Sequence, residues 1–204
     1  MTTAWTLHRG DPAPVQQSPV TCGSAALTVA RMLVDPGFAA WVLTGGTGPA
    51  TGEFDPPALA RFAAQERATM GRTNSPVAAG GALNLPWPAA LGTPPWGARA
   101  ELQERTRTRY AVSQLRWAGT GGRRAAYRRL CSTVATARPA LVYVGNAWLP
   151  RHVALLLPPE GDGALTVYEP ATAAVRAWGE EDLVQERAGL GGWDEPWLLV
   201  EPVG

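Results

Sequence analysis

The spacing of apolar residues changes part-way along the chain, from a helical period to the short runs of a sheet. Over residues 23–34 Ala26, Leu27, Ala30 and Leu33 or Val34 recur on one helical face, and Asp35-Pro36-Gly37 reads as a stop. A second helix is expected after Asp55, an N-cap residue followed by Pro56 at the first turn, with Leu59, Phe62 and Ala63 facing inward. Gly121-Gly122 precedes a third helix over 123–136, which Arg138-Pro139 ends. From there apolar runs of strand length occupy about 140–145, 152–157, 164–169 and 173–178. A short helix over 180–187 and a last strand over 197–201 complete the pattern. Residues 44–52 form a Gly/Thr/Pro loop, and residues 100–117 mix Arg with apolar positions as a helix and a short strand would. Residues 72–98, rich in Pro, Gly and Trp, resist assignment and read as an Ω-like loop or a specificity insertion. Helices early and antiparallel strands late predict an α+β domain spanning 1–204, with 1–21 as an N-terminal arm.

The runs 152–157 and 164–169 are separated by Pro158-Pro159-Glu160-Gly161-Asp162-Gly163, the composition of a hairpin loop. Antiparallel pairing across it returns Glu169 to the neighbourhood of His152. That matters because the chain has two histidines, and the other, His8, lies in the polar arm. His152 begins an apolar run, so its ring can project from a rigid sheet.

A base at that place draws attention to Val15-Gln16-Gln17-Ser18-Pro19-Val20-Thr21-Cys22-Gly23-Ser24-Ala25. A cysteine at a helix start has the unpaired N–H groups and the dipole that favour its thiolate, the nucleophilic form. A glutamine six residues upstream can loop back and donate its amide to a developing oxyanion, beside the N–H of Cys22. The chemical order is then Cys22 as nucleophile, His152 as base and Glu169 as the acid that orients the imidazole. Gln17 competes with Gln16 for the oxyanion role, though the spacing favours Gln16. Asn146 and Asp162 are alternatives to Glu169, the latter with the look of a turn residue. Each part also has a plainer reading: a buried Cys as a small hydrophobe, a structural His, a Glu-Pro that ends a strand. Their occurrence in the right order favours the chemical one.

Gln-x₅-Cys-Gly at a helix start, a His opening one strand and an acid before Pro ending the next resemble the papain-like cysteine peptidases. Within them the chain is most similar to the bacteriocin-processing peptidases, which cut leader peptides after a double glycine, and to their stand-alone bacterial relatives. The likeness runs over residues 14–35 and 140–185, where Tyr168-Glu169-Pro170-Ala171 and Val175-Arg176-Ala177-Trp178 also fit. It implies a papain-like α+β fold, with an N-terminal helical part packed on a C-terminal antiparallel sheet. It also implies a cysteine peptidase using Cys22, His152, Glu169 and Gln16, acting on a peptide or protein without a cofactor. The family usually has Asp where this chain has Glu169, and the stretch between Cys22 and His152 is longer than in the transporter-attached domains. Gln17-Ser18-Pro19-Val20-Thr21-Cys22-Gly23 is similar, over a shorter stretch, to phytochelatin synthases, which pass the acyl group to an amine. Acyl transfer on the same site and a non-catalytic peptide-binding module of the same fold are therefore the alternatives.

Composition narrows the remaining possibilities. At 204 residues the chain is long enough for a proper core. A net charge of +1 argues against a nucleic-acid or membrane-surface binder whose affinity rests on charge. Every basic residue is Arg and Ile is absent, which with abundant Ala, Gly and Pro reads as a coding bias. Arg123-Arg124-Ala125-Ala126-Tyr127-Arg128-Arg129 is accordingly expected on the solvated face of a helix, and the recurring Gly-Gly pairs at 45, 80, 121 and 191 carry little weight. A Cys22–Cys131 disulfide would consume the nucleophile. The first residues lack a secretory apolar segment and no stretch approaches bilayer length, so a reducing cytoplasm with free thiols is expected. Cys131 is expected as a buried packing residue. The exposed-looking tryptophans Trp87, Trp96, Trp148 and Trp193 read mainly as core fillers, with Trp148 the best candidate to flank a cleft. No Cys/His cluster has zinc spacing.

Overall fold

The computed structural model of the chain describes residues 4–46, 48, 53–77 and 84–203. The helices come first. α1 (Cys22–Val34), α2 (Pro36–Thr44) and α3 (Pro56–Thr73) are followed by a 3₁₀ turn, Ala89–Leu91, and α4 (Pro95–Thr106). β1 (Tyr110–Gln114) and α5 (Gly119–Thr133) lead into β2 (Ala140–Gly145), β3 (Pro150–Pro159), β4 (Leu165–Glu169), β5 (Ala174–Trp178), α6 (Glu180–Val184) and β6 (Glu195–Pro202). The strands form one sheet in the order β1-β6-β2-β3-β4-β5, every described pair antiparallel. This is the α+β architecture expected, a helical N-terminal part on a C-terminal antiparallel sheet.

Strand side chains alternate between two cores because successive residues point to opposite faces. Tyr143, Val153, Leu155, Leu157 and Tyr168 join α1–α4 on one face. Val142, Ala154, Leu156, Val167 and Trp178 join α5 and the region of α6 on the other. With both faces covered, the central strands read as unbroken apolar runs, which is why the sequence pattern located them well.

Several helices depart from expectation. α1 is buried around nearly its whole circumference rather than along one stripe, because it lies between the sheet and the other helices. Asp35-Pro36-Gly37 ends α1 as expected, but a second helix, not expected, follows at once. The Asp35 carboxylate accepts the Phe38 N–H at 2.9 Å and Pro36 takes the first position of α2, so the same residues that end one helix start the next. α4 begins inside the stretch left without an element, at Pro95. Of that stretch, residues 78–83, including the Gly-Gly pair at 80, lie outside the described residues. α5 starts at Gly119 and ends at Thr133. Arg123 is not on its solvated face: it is buried, pairs with Glu186 at 2.7 Å and donates to the Val184 carbonyl. Cys131 is half-buried, and both cysteines are free.

Among the described residues no single helix is long and apolar enough to cross a membrane. α1 and α2 together are apolar enough but meet at 115°, and both pack into the core.

Leu155 sits wholly buried on β3 in the core shared with α1. Leu155→Ala should lower unfolding free energy by about 2–5 kcal/mol, the usual cost of such a cavity, read from urea denaturation.

Candidate active site

Cys22 is the first residue of α1 and is buried. Thr21 holds the N-cap position, yet its side chain makes no capping hydrogen bond. The hydroxyl instead donates to the Ser18 carbonyl at 2.8 Å and accepts the Ser18 N–H at 3.1 Å. The first N–H groups of α1, that of Cys22 among them, are thus left without a side-chain cap. An unused cap forgoes roughly 1 kcal/mol of helix stability. Gly23 explains the Cys-Gly pair: a Cβ there would stand 2.7 Å from the Thr93 Cβ and 3.4 Å from Val153. Only glycine lets the start of α1 seat so closely. Ser24 then reaches the Thr93 hydroxyl at 3.0 Å, and Tyr143 donates to the Thr93 carbonyl at 3.1 Å. Thr93 was invisible in the sequence because it lies in the Pro/Gly-rich stretch.

His152 is the third residue of β3, not the first, opposite Val144 where β2 shifts register. Pairs Leu155↔Tyr168 and Leu156↔Val167 set the β3–β4 register, and it carries Glu169 to the imidazole as the hairpin loop implied. Nε2 of His152 lies 2.6 Å from the Glu169 carboxylate, with both side chains only 5% exposed. Nδ1 is then the ring nitrogen left for Cys22, whose sulfur lies near enough to influence the charge of the imidazole. Burial by itself disfavours the charged imidazole. The influence of Cys22 and Glu169 outweighs it and raises the His152 pKa from 6.5 to about 9. Burial pushes the Glu169 carboxyl up in turn, but His152 and the N–H groups of Ala171 and Gly191 bring it below its ordinary value. Those N–H groups donate at 2.9 and 2.5 Å, so a carboxylate with almost no solvent contact has three partners.

Gly191, like Thr93, was not legible in the sequence. It and Gly192 both have positive φ in a tight turn closed by Leu190 and Trp193. A Cβ on Gly191 would lie 2.6 Å from the His152 Cγ, so its backbone lies against the ring while its N–H holds Glu169. The signal was a Gly-Gly pair before Trp, masked by the glycine-rich composition.

Gln16 is half-buried beside this assembly. Its backbone N–H donates to the Pro170 carbonyl at 2.8 Å, just past Glu169. One N–H of its amide donates to the Ser18 carbonyl at 2.7 Å, which leaves the other uncommitted. The amide oxygen is buried without a partner among the described residues. An unsatisfied polar atom of this kind costs roughly 1–3 kcal/mol, so stability does not account for the arrangement. The Gln17 amide turns outward to the Val15 carbonyl. Asn146 is spent on the β2–β3 turn, accepting the N–H groups of Trp148 and Leu149 at 2.9 Å. Asp162 pairs with Arg9 at 2.8 Å. Trp148 stands 80% exposed on that turn, while Trp87 and Trp96 pack edge to face.

No protein-family model matches the chain, and no curated protein does. Among solved structures it is similar to the peptidase domain of Streptococcus ComA, a bi-functional ABC transporter involved in a quorum-sensing pathway. The two are 12% identical over 94% of this chain and 98% of that one, with a TM-score of 0.42. Likeness at that level leaves the chemistry to the site's own geometry.

The raised His152 pKa ties the stability of the fold to pH. Its stabilisation is fully present below pH about 6.5 and is lost as pH rises through about 9. The His152 ring resonances should titrate near the upper value in NMR spectra, and Glu169→Gln should move the midpoint down. Gly191→Ala, which drives a methyl group into the ring, should also shift that midpoint and cost roughly 1–3 kcal/mol in denaturant melts.

Proposed function

We propose that the protein is a cysteine peptidase with Cys22 as nucleophile, His152 as general base and acid, Glu169 as the group orienting the imidazole, and Gln16 as an oxyanion donor. The observation that carries this reading is the buried His152 ring held by Glu169 at 2.6 Å and standing near Cys22 at an uncapped helix N-terminus.

In this mechanism His152 takes the Cys22 proton and the thiolate sulfur attacks the peptide carbonyl carbon, forming a C–S bond. The carbonyl oxygen becomes an oxyanion, met by the Cys22 N–H and the free amide N–H of Gln16. As the C–N bond breaks, His152 gives its proton to the leaving amine and a thioester remains on Cys22. Water, deprotonated by His152, then attacks the thioester, and the departing thiolate completes the cycle. The carboxylate holds the ring in one tautomer and stabilises its charged form. One methylene more than Asp is no obstacle to that role, since Glu169 is itself held by two backbone N–H groups.

Two probes test the proposal: benzyloxycarbonyl-glycine p-nitrophenyl ester, which acylates reactive cysteines, and a mixture of peptidyl aminomethylcoumarin amides. Cys22→Ala should lose all turnover, and His152→Ala should lose roughly 10²–10⁴-fold in kcat/KM, the usual range for general acid–base groups. Glu169→Ala should lose less than His152→Ala. Wild-type rates in Cys22→Ala would sink the reading.

A further inference from the structure

Glu66 is a buried acid that the mechanism above does not use. It lies on the inner face of α3, wholly inaccessible, and makes no ion pair among the described residues. Burial pushes its carboxyl pKa up, opposed by the Thr21 side chain, by the hydrogen bond from Gln17 and weakly by the charge of Arg67. Tyr168, the other ionisable group near it, is itself buried and donates to the Pro14 carbonyl. An isolated buried carboxylate is a costly way to fill a core position, where an apolar side chain of similar size would serve stability better.

Its contacts suggest why it is there. The Gln17 N–H donates to both carboxylate oxygens, at 3.0 and 3.3 Å. The preceding N–H, of Gln16, donates to the Pro170 carbonyl. Two successive amides are therefore pinned from opposite sides, one to α3 and one to the residue after Glu169. Thr21, just ahead of the nucleophile, is tied into the same turn, its hydroxyl donating to the Ser18 carbonyl and accepting the Ser18 N–H. Between these anchors the turn 16–21 has a fixed path, and the Gln16 amide hangs from it.

We propose that Glu66 is a positioning residue that holds the turn from Gln16 to Cys22, and through it the Gln16 amide, in place for the oxyanion. The proposal rests on the peptidase reading given above. Oxyanion donors lose their effect when displaced by a fraction of an ångström, so a tether one residue away from the donor is where rigidity counts.

Two rates separate this role from general damage. One is kcat/KM for benzyloxycarbonyl-glycine p-nitrophenyl ester, which passes through an oxyanion. The other is alkylation of Cys22 by iodoacetamide, which does not, measured in a Cys131→Ser background. Glu66→Met removes both acceptors and should lower kcat/KM about tenfold, a fraction of what a lost oxyanion donor costs, with alkylation changed less than twofold. Glu66→Gln keeps an oxygen for the Gln17 N–H and should recover most of the rate. In a Gln16→Ala background, Glu66→Met should add little, since coupled residues are not additive. An unchanged kcat/KM, a parallel fall in alkylation, or full additivity with Gln16→Ala would overturn the proposal. If Glu66→Met does not fold, Glu66→Asp, with its carboxylate drawn back by one methylene, carries the same comparison. Failure of the peptidase reading is distinct, because the otherwise unaltered protein would then show no turnover of the ester that is lost in Cys22→Ala.

Discussion

A charged imidazole can be buried here only because a carboxylate is buried with it. The contact between His152 and Glu169 sets most of what surrounds it. Glu169 needs partners for its remaining lone pairs, and the Ala171 and Gly191 amides supply them. Gly191 must lie flat on the ring, which requires a residue without a Cβ and a turn with positive φ. The hairpin register must bring the end of β4 to the start of β3, and the chain leaving Glu169 must offer its Pro170 carbonyl to Gln16. Breaking such a pair by removing one partner leaves an uncompensated charge, a far larger loss than the pair's net contribution.

The second constraint is the placement of α1. Packed between the sheet and the other helices, it can move little, and its first turn is held against Thr93 and Val153 at the closest approach a glycine permits. Rigid packing of the body coexists with unsatisfied groups at the tip. The Thr21 hydroxyl is diverted from capping, and the Gln16 amide oxygen has no partner among the described residues. Both are small local losses at one place. Local rules broken within a few residues of each other are characteristic of functional sites in otherwise consistent folds.

The parts of the site legible in the sequence were those fixed by short-range pattern. Cys22 precedes a helical period, His152 and Glu169 flank a recognisable hairpin loop, and pairing across that loop follows from antiparallel geometry. Gly191, Thr93 and Glu66 were not legible, because each acts on residues distant along the chain. Glu66 looks like any polar residue of an amphipathic helix until the N-terminal arm is seen to cross over it. The fold shows the same division. Strands buried on both faces announced themselves as apolar runs, whereas α2 was hidden because a helix stop and a helix start use the same Asp-Pro vocabulary. Arg123 was misplaced because an arginine run gives no sign of which member has a carboxylate and a carbonyl waiting beneath it.

By itself, then, the sequence determined the class of the fold, the order of its layers and the candidate residues Gln16, Cys22, His152 and Glu169. Periodicity, turn residues and side-chain chemistry are local properties, and they suffice for that. Tertiary structure alone decided that Gln16 rather than Gln17 turns inward and that Asn146 and Asp162 are committed elsewhere. It also decided that a carboxylate on α3 and a glycine past α6 stand behind the pair. Those outcomes depend on which surfaces meet when α1 is driven onto the sheet, and burial sets the charge states only once they have met.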